Sequence, residues 1–244
     1  MEEFSVTAIV LNSFNYREKD KILHLFSLEL GNISAILKGV ASPKAKLKFA
    51  GQPFCFAKFD LVKSNEFYVV KNVDLIDAFF DLTADYENFL FATSMLEVCN
   101  HILKPGIISE GLFVTLLKTL KNIVYNNIDI KLSIIKFYLI LLELMGYKLN
   151  FDKCDNCNMS MIGEIRFDLN SGAFRCRACS SGEDVSKQDF INLKFINSTD
   201  IDRLHTLKIG YESINNIVKI IINNVCRRLN YSFKSFKIDD VIWD

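Results

Sequence analysis

Residues Cys154–Cys179 read CDNCNMSMIGEIRFDLNSGAFRCRAC, and this stretch decides how the C-terminal half of the chain is organised. Two C-x-x-C pairs, Cys154 with Cys157 and Cys176 with Cys179, are separated by eighteen residues. That spacing falls in the pattern of a four-thiolate metal site. The chemistry needs two turns that each aim two sulfurs at one point, because Zn²⁺ takes a tetrahedron of ligands at about 2.3 Å per sulfur and a two-residue gap supplies adjacent corners. Between the pairs, Ile165–Asp168 and Gly172–Arg175 can pair as a hairpin across Leu169–Gly172, so residues at about 150–185 are expected to form a zinc-ribbon-like finger. Four sulfurs leave no coordination position for water, which favours one structural Zn²⁺ over a catalytic ion. A redox dithiol is the other reading, and the sequence lacks the βαβ surroundings in which such motifs sit.

Before the finger, apolar residues recur at three- and four-residue intervals. Tyr86–Leu103, Glu110–Tyr125 and Ile130–Met145 therefore predict three amphipathic helices, parted by Pro105-Gly106 and Asn126-Asn127, with Gly146 placed as a helix-terminating glycine. After the finger, Ile209–Leu229 resumes the period, so the finger reads as an insert in a helical domain. Further out, Phe4–Val73 breaks into short Val-, Ile- and Phe-rich runs that predict five strands: Ser5–Leu11, Ile22–Ser27, Ile33–Lys38, Pro53–Lys63 and Glu66–Val73. The last two join through Ser64-Asn65 as a hairpin. An open sheet of this size would leave long edges unprotected, so a small closed barrel is expected. The fold class is α+β: a five-stranded OB-type β-barrel over residues 1–78, then an all-helical domain over residues 79–244 that carries the finger.

Composition limits the function classes. With 50% apolar residues and 21 Phe in 244 positions, but only 10 Gly and 3 Pro, disordered, collagen-like and linker readings fail. The opening MEEFSV carries acid where a secretory or mitochondrial leader carries base, which predicts a cytoplasmic protein. Ile130–Gly146 is the most apolar helical stretch, yet Lys131, Lys136 and Glu143 interrupt it, so it reads as a core helix and not as a membrane span. Cys55, Cys99 and Cys226 fall in apolar runs and read as buried small hydrophobes, while His24, His101 and His205 have no ligand spacing. Phosphate-cradling, nucleophile-elbow and H-E-x-x-H motifs are absent from the sequence, and Asp152, Asp155 and Asp168 read as a solvated ribbon surface; an enzyme is not expected.

Net charge is zero, but it is unevenly distributed. Residues 31–71 hold seven lysines against Asp60 and Glu66. Within them Lys38, Lys44, Lys46, Lys48 and Lys58 alternate with Phe49, Phe54 and Phe56, a pattern suited to tracking phosphates beside stacking faces; a solvated loop over core aromatics is the plainer reading. A second cluster, Arg227 and Arg228 with Lys219, Lys234 and Lys237, ends the last helix, where cations also complement the helix dipole.

Several segments carry a resemblance. Val6–Asp20 resembles the first strand and turn of the RecO family of bacterial recombination mediators. Leu37–Lys44 resembles that family's basic strand end, although it is Lys-rich where the family is often Arg-rich, and Gln52-Pro-Phe54 resembles the opening of the next strand. Leu144–Leu149 and Phe167–Gly172 resemble the helix end and hairpin of its zinc segment. The resemblance spans nearly the whole chain. It implies an OB barrel, a helical domain with a zinc finger, binding of single- and double-stranded DNA, strand annealing without nucleotide hydrolysis, and a nucleoid-associated location. It also implies RecR as a partner, contact with the C-terminal tail of single-strand-binding protein, for which Arg227 and Arg228 are candidates by charge, and assistance in loading RecA. A zinc-ribbon adaptor that binds only proteins is the alternative, and a metal-dependent nuclease is a more distant one.

Overall fold

A computed structural model describes residues 3–40, 45–64 and 67–236. Lys44, Asn65, Glu66 and Lys237 lie outside the described residues.

Five strands close a barrel in the order β1-β2-β3-β5-β4: β1 Glu3–Tyr16, β2 Asp20–Ser27, β3 Gly31–Leu37, β4 Phe56–Ser64 and β5 Phe67–Asp77. Every neighbouring pair is antiparallel except β3 with β5, whose parallel pairing of Ala35 with Tyr68 and Ile36 with Val69 completes the barrel. β1 runs beyond the predicted Leu11 because it serves two partners: its first half pairs with β4, its second with β2, and a bulge between Val10 and Asn12 turns it from one to the other. β4 starts later than the predicted Pro53. There Phe54, with φ of +68°, donates its N–H to the Val10 carbonyl at 3.0 Å, and the Val10 N–H is satisfied by Cys55 O at 2.9 Å, so Pro53–Cys55 plugs the bulge and is not strand. Val6, Ala8, Leu23, Leu25, Ala35, Leu37, Phe59 and Leu61 fill the interior.

Gly31 begins β3 with φ of +68°, and a Cβ there would collide with the backbone carbonyl of Ile107. Left-handed backbone and backbone contact both select glycine. Gly31→Ala is expected to cost about 2 kcal/mol, read as a lowered denaturation midpoint with unchanged slope; an unchanged midpoint would mean the contact is absent.

The helices are α1 Tyr86–Ile102, α2 Glu110–Tyr125, α3 Ile130–Leu144, α4 Lys187–Ser198 and α5 Tyr211–Leu229. α3 is buried on nearly all sides, which is why its apolar run is so continuous. Asp129 caps it by accepting from the Leu132 amide at 2.8 Å, and Gly146, at φ of +83°, terminates it as expected. By contact density the described residues form two compact units: those up to Ala84 together with Thr93–Val114, and Asp85–Ala92 together with those from Thr115 onward. In the second unit a three-stranded sheet, ordered β7-β6-β8, holds β6 Ile165–Asp168, β7 Ala173–Cys176 and β8 Glu183–Val185. The predicted hairpin is present, one residue later in its second strand, and β8 is an addition. Among the described residues no helix is long and apolar enough to cross a membrane.

Candidate functional site

The two C-x-x-C pairs lie at the ends of the ribbon. Cys154 opens a tight turn in which its own N–H donates to Met159 O at 2.8 Å and its carbonyl accepts from Asn158 N at 2.9 Å, with Asn158 at φ of +59°. Cys176 ends β7, and Cys179 closes a 3-10 turn over Arg177–Cys179. The four sulfurs lie within 4.8 Å of one another, and those of Cys157 and Cys176 are 3.8 Å apart. A tetrahedron with about 2.3 Å arms has edges of about 3.8 Å, so the cluster is sized to hold one metal ion.

The backbone prepares one thiolate. Burial pushes the Cys154 thiol up, but amides of Cys157, Cys176 and Asn156 directed at its sulfur outweigh that and bring it down to about 6. Cys176 goes the other way: the neighbouring Cys179 sulfur, then burial and the remaining sulfurs, push it up to about 11. Crowded thiols resist sharing negative charge, and a dication in their midst removes that resistance.

Around the cluster the acidic residues are neutralised. Asp152 pairs with Lys194 at 2.7 Å, Asp168 with Arg175 at 2.8 Å, Asp155 with the same guanidinium at 3.7 Å, and Glu164 with Arg177 at 2.5 Å. Among the described residues the cysteine cluster is the group of His, Cys, Asp and Glu side chains placed to hold a metal. Beneath the ribbon, Phe151, Phe167, Phe174 and Phe190 pack ring to ring at centroid distances from 5.0 to 5.8 Å and tie it to α4.

The basic candidates divide. Lys38, Lys46 and Lys48 are exposed at the end of β3 and in the segment after it. Lys58 is also exposed, but on β4 its cross-strand neighbour is Asp74, and Asp60 lies two positions on. Arg227 is exposed and donates to Asn170 Oδ1 at 3.2 Å, whereas Arg228 is half-buried with its guanidinium 5.0 Å from the Tyr147 ring centroid. Cys55 and Cys99 are buried as expected, and burial pushes the Cys55 thiol up to about 12; Cys226, in the last turn of α5, is only half-buried. Tyr16 ends β1 and Arg17 stands in the turn after it with its guanidinium 5.1 Å from the Tyr16 ring centroid, a pairing that gives no periodic signal in sequence.

A small closed barrel followed by a helical unit whose inserted ribbon gathers four thiols defines a class of two-part protein with a four-cysteine finger. The chain belongs to the recombination protein O family: the N-terminal family model, "Recombination protein O N terminal", matches residues 1–79, and the C-terminal one, "Recombination protein O C terminal", matches residues 83–235. It is similar to "DNA repair protein RecO" of Alkaliphilus metalliredigens, 27% identical over 230 residues covering 91% of this chain and 94% of the relative. It is likewise similar to the proteins of that name from Thermoanaerobacter sp., 28% identical over 96% of each chain, and from Clostridium novyi, 25% identical over 96% of this chain and 93% of the relative. The family gives the chain a role in DNA repair and recombination.

Proposed function

We propose that this chain is a recombination mediator that binds single- and double-stranded DNA, anneals complementary strands without hydrolysing nucleotides and, with RecR, assists loading of RecA on DNA coated by single-strand-binding protein. The observation that carries the reading is the exposure of Lys38, Lys46 and Lys48 on an OB-type barrel, none of them paired with a carboxylate among the described residues. Unpaired lysines on such a barrel attract phosphate through counterion release. The cysteine cluster takes one Zn²⁺ in a structural role, because four thiolates saturate its tetrahedron. Arg227, the more accessible of the two arginines, is the candidate contact for the acidic tail of single-strand-binding protein.

The test is the salt dependence of binding. Each phosphate contact to a single strand contributes about 0.7 to the log-log salt slope, so replacing Lys38, Lys46 and Lys48 with alanine should lower it by about 2. The loss should be even across sequences, since phosphate contacts read no bases. Salt-independent binding by the unaltered protein, or a slope untouched by the triple change, contradicts the reading. One observation favours the protein-only adaptor instead: Met159 and Ile162, in the loop after the first cysteine turn, are 70% and 86% exposed. That alternative predicts no salt-dependent DNA binding at all.

A further inference from the structure

The tip of the ribbon lies against the end of the last helix. Gly172, in the turn between β6 and β7, has φ of +55°, and a Cβ there would run into the side chains of Arg228 and Asn224. Asn224 is fully buried, and the Arg228 guanidinium lies over the ring of Tyr147, in the segment that leads from α3 to the finger. From the same turn Asn170 Oδ1 accepts Arg227 Nη1 at 3.2 Å. The last turn of α5 is therefore held by residues whose own positions belong to the finger.

A chain of polar contacts runs from that turn to the cysteines. Asp168 Oδ1 accepts the N–H groups of Asn170 at 2.9 Å and Ser171 at 3.3 Å, and its other oxygen takes Arg175 at 2.8 Å. Arg175 directly precedes Cys176, and it also reaches Asp155, between Cys154 and Cys157, at 3.7 Å. A cleft of about 500 Å³ opens beside these contacts, and its charged lining is Asp168, Arg175, Glu183 and Arg227. Asp168 and Arg175 pair with each other, while Glu183 and Arg227 form no ion pair among the described residues. Those four charges cancel, so an anion is met by the placement of Arg227 and not by a general excess of base.

We propose that metal loading of the finger gates this helix end: with an ion on the four cysteines the Asn170 turn holds Arg227 in place for an acidic peptide, and without it the turn loosens and the affinity falls. Gating rests on the reading of Arg227 as the contact for an acidic tail, and adds what controls that contact. Coupling between two sites needs an element with two arrangements that both sites bias. The finger is such an element, because its short strands lose their support when the ion leaves the thiolates. Linkage makes the effect reciprocal, so the bound peptide raises the affinity for the ion by the same factor.

The experiment measures binding of a labelled peptide of the acidic single-strand-binding-protein tail to the full chain by fluorescence anisotropy, with the chain zinc-loaded and after removal of zinc by a chelator. Far-ultraviolet circular dichroism checks that the helices persist in the stripped chain. Stripping should weaken peptide binding about fivefold, at the low end for coupled sites because the contact with Asn170 is exposed. Competition with a chromogenic chelator should show zinc held about fivefold more tightly when the peptide is saturating. Asn170→Ala keeps the backbone N–H that Asp168 accepts, so it should still carry one zinc per chain, yet its peptide affinity should no longer respond to stripping. If the unaltered chain binds the peptide equally well loaded and stripped while Arg227→Ala weakens both, gating is wrong and the tail contact stands. If Asn170→Ala keeps the full response to zinc, the ion does not act by placing Arg227 and gating is again wrong. If the loaded chain does not bind the peptide, or binds it as well with Arg227→Ala, the tail contact fails and gating fails with it.

Discussion

Cys176→Ser is expected to abolish metal binding and to open the finger while the barrel stays folded. Structural zinc contributes folding free energy directly, on the order of 10 kcal/mol in isolated fingers at neutral pH. The sheet it supports here is only three, four and four residues long in its strands. Strands that short cannot hold themselves together. The four-phenylalanine cluster beneath them gives partial support, so the expected product is a loosened ribbon on an intact α4, cleaved by protease first in the exposed loop around Met159 and Ile162. The barrel keeps a core of its own and should resist digestion. Metal analysis of fresh protein should find one zinc per chain, and none in Cys176→Ser. Loading should also depend on pH in a definite sense. The Cys154 thiol, at about 6, is already thiolate at neutral pH, whereas that of Cys176, at about 11, must surrender its proton to the incoming ion. Falling pH therefore returns protons to the ligands, and a chelator should strip the metal more readily at pH 6 than at pH 8, the two pH values being roughly those that bracket neutrality. Zinc-free fresh protein, or full zinc in the serine variant, would sink the assignment.

Those cysteines were legible because metal chemistry writes itself into spacing, and the barrel was legible because alternation and breaks mark its strands. What stayed hidden has physical reasons. The continuation of β1 to Tyr16 passes through Asn12, Ser13 and Asn15, polar residues that read as a break; their pairing with His24, Leu23 and Lys21 of β2 keeps them extended. β8 has three residues, two of them acidic, and its position depends on Gly182 lying against Phe167 of β6, a contact no local pattern announces. α4 is different: Ser186 accepts the Asp189 amide at 3.0 Å, and that S-x-x-D start was readable, but the helix has too weak an apolar stripe to confirm it.

Lys131 and Lys136 look alike in sequence, two cations interrupting one apolar helix, yet their replacement by methionine should move stability in opposite directions. Lys131 is fully buried, but its ammonium is met by Glu87 at 2.9 Å, by Asn215 Oδ1 at 2.9 Å and by the Tyr211 hydroxyl at 3.3 Å. Burial pushes it down, and the contacts with Glu87 and Tyr211 more than offset this, leaving its pKa raised. Its contribution is therefore fully present below the ordinary lysine range and is lost only as alkaline pH passes the raised value. Lys131→Met leaves Asn215 without its donor and Glu87 without its cation; about 3 kcal/mol should be lost, at the low end for a broken buried pair because Glu87 is partly exposed. Among the described residues Lys136 has one close partner, the Asn197 carbonyl at 2.7 Å, and burial lowers its pKa despite the more distant Asp200 and Glu143. For this residue the charged form is the one that folding disfavours. Lys136→Met should thus stabilise by about 1 kcal/mol at neutral pH, and the advantage should shrink as rising pH deprotonates the lysine of the unaltered protein. Urea unfolding of both variants at neutral and alkaline pH reads the signs directly. Equal destabilisation by the two changes would mean that Lys136, like its neighbour one turn and a half away, is held by partners strong enough to outweigh its burial.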